Sequence, residues 1–153
     1  MSNTPLLTLD LPGIRKLKSG KVREIFDLGE TFLFVASDRI SAFDCIMPNG
    51  IPCKGEVLTQ LSHFWFDRMA AIVPNHRVAG AGDPLPAALQ PFAEQLAGRS
   101  MIVKKAKPLT IECVVRGYLA GSGWKEYRER QTVRGIRLPA GLLESSELPE
   151  PIF

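Results

Sequence analysis

Residues 22–37 read VREIFDLGETFLFVAS. Two runs rich in β-branched and aromatic side chains, 22–28 and 31–37, flank Gly29-Glu30, with Asp27 just before the turn; this spacing predicts a β-hairpin. The second run stops in SDRISAFD, residues 37–44, where Asp38, Arg39, Ser41 and Asp44 crowd together. Two readings fit a buried strand that ends in such a knot. One is a capped, solvated turn in which Asp38 or Ser41 bonds local N–H groups. The other is the edge of a site for a small, highly charged ligand.

The same hairpin begins in SGKVREIFDLG, residues 19–29. A glycine at its head, Gly20, lets backbone N–H groups approach phosphate oxygens, and Lys21 and Arg23 supply charge. A plain Ser-Gly turn with solvated basic residues fits the string equally. The pattern GxxxxGK[ST] is absent, so this is not a P-loop.

Working outward, residues 45–55 (CIMPNGIPCKG) hold two prolines and two glycines and are expected to be loop or edge structure. Leu58, Leu61, Trp65, Met69 and Ile72 then recur at helical spacing, which predicts an amphipathic helix stopped by Pro74-Asn75. His63 lies off that face and is expected to be solvated, and His76 to sit in a turn. Residues 79–100 hold at most short helical turns, with Asp83 an expected N-cap before Pro84. Strands return at 101–105 and 109–116; alternation in the second puts Glu112 and Arg116 on one face. A helix is expected over 122–130 with Ser122 as its N-cap, followed by an extended, proline-rich stretch to Phe153. Strands, helix, strands and helix in that order give an α+β fold with a mainly antiparallel sheet.

The 153 residues suit one typical domain or two small ones. A 45% apolar content supports a real core, and the net charge of +3 is mildly basic. Residues 1–100 balance in charge. Residues 101–137 do not: Lys104, Lys105, Lys107, Arg116, Lys125, Arg128, Arg130, Arg134 and Arg137 face only Glu112, Glu126 and Glu129. With the cluster Arg15, Lys16, Lys18, Lys21 and Arg23, this points to anionic ligands, small phosphates or nucleic acid. Cys45, Cys53 and Cys113 lack CxxC spacing, so neither a disulfide framework nor a zinc site is expected, and they fit a reducing compartment. No charged n-region precedes an apolar run, and no run is long enough to span a bilayer, so the expectation is a cytoplasmic protein without membrane partners.

The third chemistry-bearing string is IECVVRGYLAGSGW, residues 111–124. A helix start with a hydroxyl cap and a nearby arginine is a ready phosphate site, and a plain strand–loop–helix junction is the competing reading. A nucleic-acid-binding β-rich module is the alternative function suggested by the basic 101–137 segment. Against it, Tyr118, Trp124 and Tyr127 do not recur on one strand face as stacking platforms would. A protein-kinase-like lobe is disfavoured by the missing HRD and DFG strings.

Three strings in one order, GKVREIFDLG, SDRISAFDCIMPNGIPCKGEVLTQLSHFWF and IECVVRGYLAGSGWKEY, resemble the phosphoribosylaminoimidazole-succinocarboxamide synthase (SAICAR synthetase) family. The third is close to a family signature in which P-[LIVM]-E leads through R-x-x-x-[TA]-G-S. Thr110 stands where that signature has Pro, while Glu112, Arg116, Ala120, Gly121 and Ser122 match. The resemblance implies an α+β, kinase-like or ATP-grasp-like N-terminal lobe, residues 1–105, and the start of a second lobe, 106–153. It implies ATP and Mg²⁺ as cofactors, and carboxyaminoimidazole ribonucleotide and L-aspartate as further ligands, with no nucleic acid. Gly20, Lys21 and Arg23 would cover the ATP phosphates, and Lys104, Lys105, Ala106 and Lys107 would line the adenine. Asp38, Arg39, Ser41, Glu112, Arg116 and Ser122 would face the ribonucleotide. No residue is assigned the catalytic step, and no metal ligand. The family is close to twice this length, so the chain is expected to be catalytically incomplete alone, with exposed apolar surface and a tendency to self-associate.

Overall fold

A computed structural model describes residues 4–80 and 82–153. The chain divides into two compact units, Met1–Lys107 and Pro108–Phe153.

In the first unit β1 (Lys16–Ser19), β2 (Arg23–Asp27) and β3 (Thr31–Ala36) form a meander. The β2–β3 turn is closed by Gly29, at φ +86°, whose N–H donates to Asp27 Oδ1 at 3.0 Å. An aspartate two residues before a left-handed glycine is what such a turn demands. β7 (Ser100–Lys104) adds beside β3, and β6 (Arg77–Ala79) beside β7, giving the antiparallel order β1-β2-β3-β7-β6. Period-two alternation sorts the side chains. Phe26, Leu33, Val35 and Ile102 point into a core closed by Leu9 and Leu11 from the N-terminal arm. Leu89 and Leu96 complete it, from a 3-10 turn (Ala87–Phe92) and the one-turn α2 (Ala93–Leu96). Each of these fully buried apolar side chains contributes about 1.5–3 kcal/mol. β4 (Arg39–Ala42) and β5 (Cys45–Gly50) make a separate ribbon, of which β5 falls in the stretch 45–55 expected to be loop or edge. Its turn residues, Phe43 and Asp44, both have positive φ.

The opposite sheet face carries α1 (Lys54–Met69), and here two expectations are corrected. The helix begins four residues before Leu58, ahead of the apolar periodicity, because its start is set from elsewhere: Asp38 Oδ1 accepts the Gly55 N–H at 2.8 Å. Its packed side is not the Leu58/Leu61/Trp65/Met69 stripe, which is exposed. The buried positions are Gly55 and Thr59. Gly55 rests directly on β3: a Cβ there would stand 2.9 Å from the Ala36 carbonyl carbon and closer still to its oxygen. Backbone-to-backbone approach through a glycine brings the helix in on its small-residue side. His63 is not solvated either. It is half-buried, 3.1 Å from an Arg77 nitrogen, and fills the space over Gly80. Asp83 caps no helix; it closes a turn, its Oδ2 accepting the Gly80 N–H at 2.9 Å, and the helical turns start later, after Pro86.

In the second unit β8 (Arg116–Tyr118) pairs with β11 (Glu147–Ile152), and β9 (Thr132–Val133) with β10 (Ile136–Arg137). α3 (Gly121–Arg130) packs Tyr127 against Leu119, Val133, Leu138 and Leu148. The Tyr127 hydroxyl donates to the Pro139 carbonyl at 2.7 Å and accepts from the Leu142 N–H at 3.1 Å, so the buried phenol is satisfied. The strand expected over 109–116 is present only from Arg116; residues 109–115 have strand-forming composition but no hydrogen-bonded partner strand in this unit.

Replacing Gly55 with alanine should lower unfolding stability by roughly 1–3 kcal/mol in a urea titration, as overpacking does. Gly117→Ala, with nothing within 4 Å of the new methyl, should stay within about 0.5 kcal/mol of the parent. Equal effects from the two would remove the close-approach argument.

Candidate functional site

Gly20 lies in the tight turn between β1 and β2, where its N–H donates to the Arg23 carbonyl at 2.7 Å and a Cβ would crowd that oxygen at 3.2 Å. The turn is braced from beneath. Arg39 donates through Nη2 to the Gly20 carbonyl at 2.7 Å, through Nε to the Lys21 carbonyl at 3.0 Å, and through Nη1 to Glu24 Oε1 at 2.6 Å and to the Leu7 carbonyl. Ser19 Oγ donates to the same Glu24 oxygen at 3.0 Å. A planar guanidinium with a fixed donor fork suits such a brace. Lys21 is exposed and ion-paired with Asp44 at the tip of the β4–β5 ribbon. Arg23 lies over the Phe34 ring, 5.2 Å from its centroid.

Arg23 and Phe34 open onto a pocket of about 100 Å³ between the sheet and α1, lined also by Thr59, Ser62, Phe66, His76 and Arg99. A second pocket, of about 660 Å³, runs from Trp65, Phe66 and Met69 past His76 to Lys104, Lys105 and Ala106. His76 belongs to both walls, 6.0 Å from the Phe34 ring and 5.5 Å from the Phe66 ring. The Lys104 N–H is held by the His76 carbonyl at 2.8 Å. Lys105 leans away, its ammonium 2.7 Å from Asp27 Oδ1 and over the Phe32 ring. That ammonium holds the Asp27 carboxyl below its ordinary value. Lys107 is exposed and lines neither pocket.

Asp38 and Arg39, expected to face a substrate, are buried and already committed. Asp38 Oδ2 accepts the Leu6 N–H at 2.8 Å, and Oδ1 accepts the Gly55 N–H and Arg99 Nη1 at 3.0 Å; Arg99 Nη2 reaches Glu56 at 2.6 Å. Both side chains therefore sit beneath the surface as supports, since two opposite charges buried this deeply must be consumed by partners. Ser41 is exposed on β4. Burial pushes the Asp38 carboxyl up, but the Gly55 and Leu6 amides and Arg99 outweigh it, so the carboxyl lies below its usual value.

In the second unit Arg116 donates through Nη2 to Ser122 Oγ at 3.0 Å and through Nη1 to the Ala120 carbonyl at 3.3 Å. Its side chain passes over Gly123, where an added Cβ would stand in van der Waals contact with it at 3.4 Å. Ser122 is not the cap of α3: Ala120 occupies that position, and Gly121, at φ +56°, starts the helix one residue earlier than expected. Glu112 and Arg116 border one pocket of about 390 Å³ with Cys113, Val114, Arg134 and Phe153. Thr59, Ser62, Phe66, His76 and Arg99 were not singled out as site residues in the sequence; only the aromatic and hydroxyl content of 59–66 hints at them.

The antiparallel sheet, the braced glycine turn and the pockets along one sheet face define an α+β lobe with small-molecule-sized hollows beside a basic loop. Residues 16–153 match the SAICAR synthetase family model, and the chain belongs to that family. The phosphoribosylaminoimidazole-succinocarboxamide synthase of Syntrophotalea carbinolica is 60% identical over 97% of this chain and 50% of its own length. That of Thermodesulfovibrio yellowstonii is 54% identical over 100% of this chain and 52% of its own. The chain thus spans about half the length of the curated relatives it matches. Among solved structures, a SAICAR-synthase from Saccharomyces cerevisiae complexed with SAICAR superposes with a TM-score of 0.86 at 46% identity, covering 97% of this chain and 52% of the other. A type-2 SAICAR synthetase in complex with ADP shares the fold at TM-score 0.60 and 24% identity, covering 88% of this chain and 47% of the other.

Because its folded value is depressed, Asp38 contributes stability that is complete above its unfolded value near 3.8 and is lost as pH falls through the lower folded value. Asp38→Asn should cost roughly 3–5 kcal/mol at neutral pH, since it breaks the buried Asp38–Arg99 ion pair and leaves Glu56 as the one carboxylate on Arg99. Stability of the variant should then fall less steeply between about pH 5 and pH 2. Parallel pH profiles for parent and variant would show that Asp38 does not titrate with folding.

Proposed function

We propose that this chain forms the ATP-facing wall, and part of the ribonucleotide-facing wall, of an enzyme of purine biosynthesis. That enzyme joins L-aspartate to the carboxylate of carboxyaminoimidazole ribonucleotide at the expense of ATP. The observation that carries the reading is the braced glycine turn: Arg39 clamps the Gly20 and Lys21 carbonyls, leaving the outer side of the turn facing away from its support. Gly20, Lys21 and Arg23 then cover the phosphates. The strip Lys104, Lys105 and Ala106, with Lys107 following, borders the adenine through the large apolar pocket. Glu112, Arg116 and Ser122 take the ribonucleotide, the paired Arg116 and Ser122 at the start of α3 meeting its phosphate. The exposed Ser41 contacts substrate, and the buried Asp38 and Arg39 act as positioning residues.

In this reaction the γ-phosphoryl group passes to a carboxylate oxygen and ADP leaves. The aspartate amine then attacks the carbonyl carbon, the C–N bond forms, and phosphate departs as the nitrogen gives up a proton. Such chemistry depends on alignment and on neutralising phosphate charge more than on a protein nucleophile. Mg²⁺ would add neutralisation at the phosphates. Among the described residues no group of three or more His, Cys, Asp or Glu gathers; the positive charge proposed at the phosphates from this chain is that of Lys21 and Arg23. The yeast relative is complexed with SAICAR, which supports the product side of the proposal. A cytoplasmic setting belongs to the same proposal; among the described residues no helix is long and apolar enough to cross a membrane.

The test mixes this chain with a separately expressed second half of the Syntrophotalea carbinolica relative and follows SAICAR formation with ATP, Mg²⁺ and aspartate. Turnover is expected from the mixture and from neither part. Lys21→Ala should raise the apparent KM for ATP about tenfold, while Arg116→Ala should act on the ribonucleotide. A Lys21 variant that leaves ATP dependence untouched would remove the glycine turn from the nucleotide site.

A further inference from the structure

His63 and Asp67, one helical turn apart on α1, meet Arg77 of β6 in a chain of polar contacts that lines neither pocket beside the sheet and touches no part of the glycine turn. Arg77 donates through Nη2 to Asp67 Oδ1, and its Nη1 lies 3.1 Å from His63 Nδ1. A guanidinium carries donors only, so the Nδ1 that faces it is the unprotonated nitrogen of a neutral imidazole. The half-buried ring cannot turn aside, because it fills the space over Gly80, where an added Cβ would collide with its Cε1. These contacts hold a strand with little else to hold it. β6 is three residues long, stands at the edge of the sheet, and meets β7 in an irregular register. Short edge strands open at the low end of a protein's range of local stabilities.

The larger pocket depends on where that strand sits. Trp65, Phe66 and Met69 of α1 form part of its lining, and Pro74, Asn75 and His76, which lead into β6, form another part. The His76 carbonyl also takes the Lys104 N–H at 2.8 Å. We propose that His63, Arg77 and Asp67 form a proton-sensitive clasp: with His63 neutral it holds β6 to α1 and fixes the separation of the pocket walls, and with His63 charged it lets that edge go. A proton on Nδ1 would set one N–H donor against another and one cation against another. Every charged group that faces the ring has a definite sense. Arg77 from β6 opposes the proton, while Asp67 on α1 and Asp83 in the turn after β6 favour it, as does the Ser100 carbonyl at the start of β7. Burial and Arg77 prevail, and the imidazole lies below its ordinary value of 6.5. A depressed value leaves the contribution of the clasp complete above 6.5 and withdraws it as pH falls through the lower folded value. The clasp acts on the pocket walls and is independent of which ligand the pocket takes.

The two histidine C2 proton resonances of this chain, followed with its amide exchange between about pH 8 and about pH 5, test the clasp, with each exchange rate referred to the unstructured rate at the same pH. The resonance missing from His63→Gln belongs to His63. Its midpoint should lie below 6.5, rise in Arg77→Gln, which removes the facing cation, and fall in Asp67→Asn, which removes a facing anion. Protection of amides 77–79 and of Lys104 should drop across the titration, about tenfold for each unit by which the midpoint lies below 6.5. His63→Gln, whose side-chain oxygen can still accept from Arg77 and cannot titrate, should keep that protection over the whole range. A His63 midpoint indifferent to Arg77→Gln, protection of 77–79 that stays level with pH, or the same loss in His63→Gln would each overturn the proposal.

Discussion

Two consecutive residues of opposite charge, Asp38 and Arg39, hold the first unit together from its interior. Asp38 gathers the N-terminal arm through Leu6, the start of α1 through Gly55, and the start of β7 through Arg99. Arg39 gathers the same arm through Leu7, the strand β2 through Glu24, and the glycine turn through two carbonyls. Burying such charges is costly, and continuum arguments make a buried ion pair a poor source of net stability. What the pair supplies is geometry. The engaged donors of the Arg39 fork tie three segments together, the N-terminal arm, β2 and the glycine turn, so these cannot slide independently of one another. The Glu24 oxygen that no hydrogen bond reaches, Oε2, lies 3.9 Å from the Lys16 ammonium, which keeps that carboxylate from being stranded.

This constraint explains the placement of α1. An ordinary amphipathic helix turns its apolar stripe inward, but α1 is fixed at its first turn by Asp38 and by contact of Gly55 with the Ala36 carbonyl. From there Thr59 falls on the inner side, its hydroxyl returned to the Gly55 carbonyl at 2.8 Å, while Leu61, Phe64 and Trp65 are left exposed. The hollow that remains between helix and sheet mixes apolar walls, Leu58, Phe34 and Phe66 among them, with Arg23, Thr59, Ser62, His76 and Arg99. A helix held at its end by a polar tie can leave a pocket along its length; one held by its apolar stripe would have closed it.

The parts of the fold legible in the sequence were those whose determinants are local. The β2–β3 hairpin needed only alternation and an Asp–Gly turn, and β7 and the body of α3 followed from composition. The glycine turn was legible as a feature, with its chemistry left open. What failed depended on distant residues. The start of α1 is capped from 17 positions away, which no local pattern contains. The pattern around Asp38 and Arg39 left a turn and a ligand site both open, and the family resemblance pointed to the ligand; charge crowded at a strand end has one sequence signature and two physical uses, and only burial separates them. His63 read as a solvated residue because Gly80, over which it lies, comes from another element, and the turn expected at His76 gave no sign of the Phe34 and Phe66 rings beside it.

The segment 109–115 fails for the reverse reason. Its local pattern is right for a strand, but a strand is a property of a pair, and hydrogen-bonding propensity without a neighbour yields only an extended, exposed chain. The outer face of α1 shows the same mismatch in helical form: side chains with the composition of an interior, in a structure that gives them no interior. Both were written into the sequence alongside residues that do find partners, and the difference between them is not propensity but completeness. Where the core closes within the chain, as around Phe26 and Leu33 or around Tyr127, pattern and structure agree. Where pattern and structure part company, at Leu109 and Ile111 or at Leu61 and Trp65, apolar side chains stand exposed although their local pattern is that of an interior.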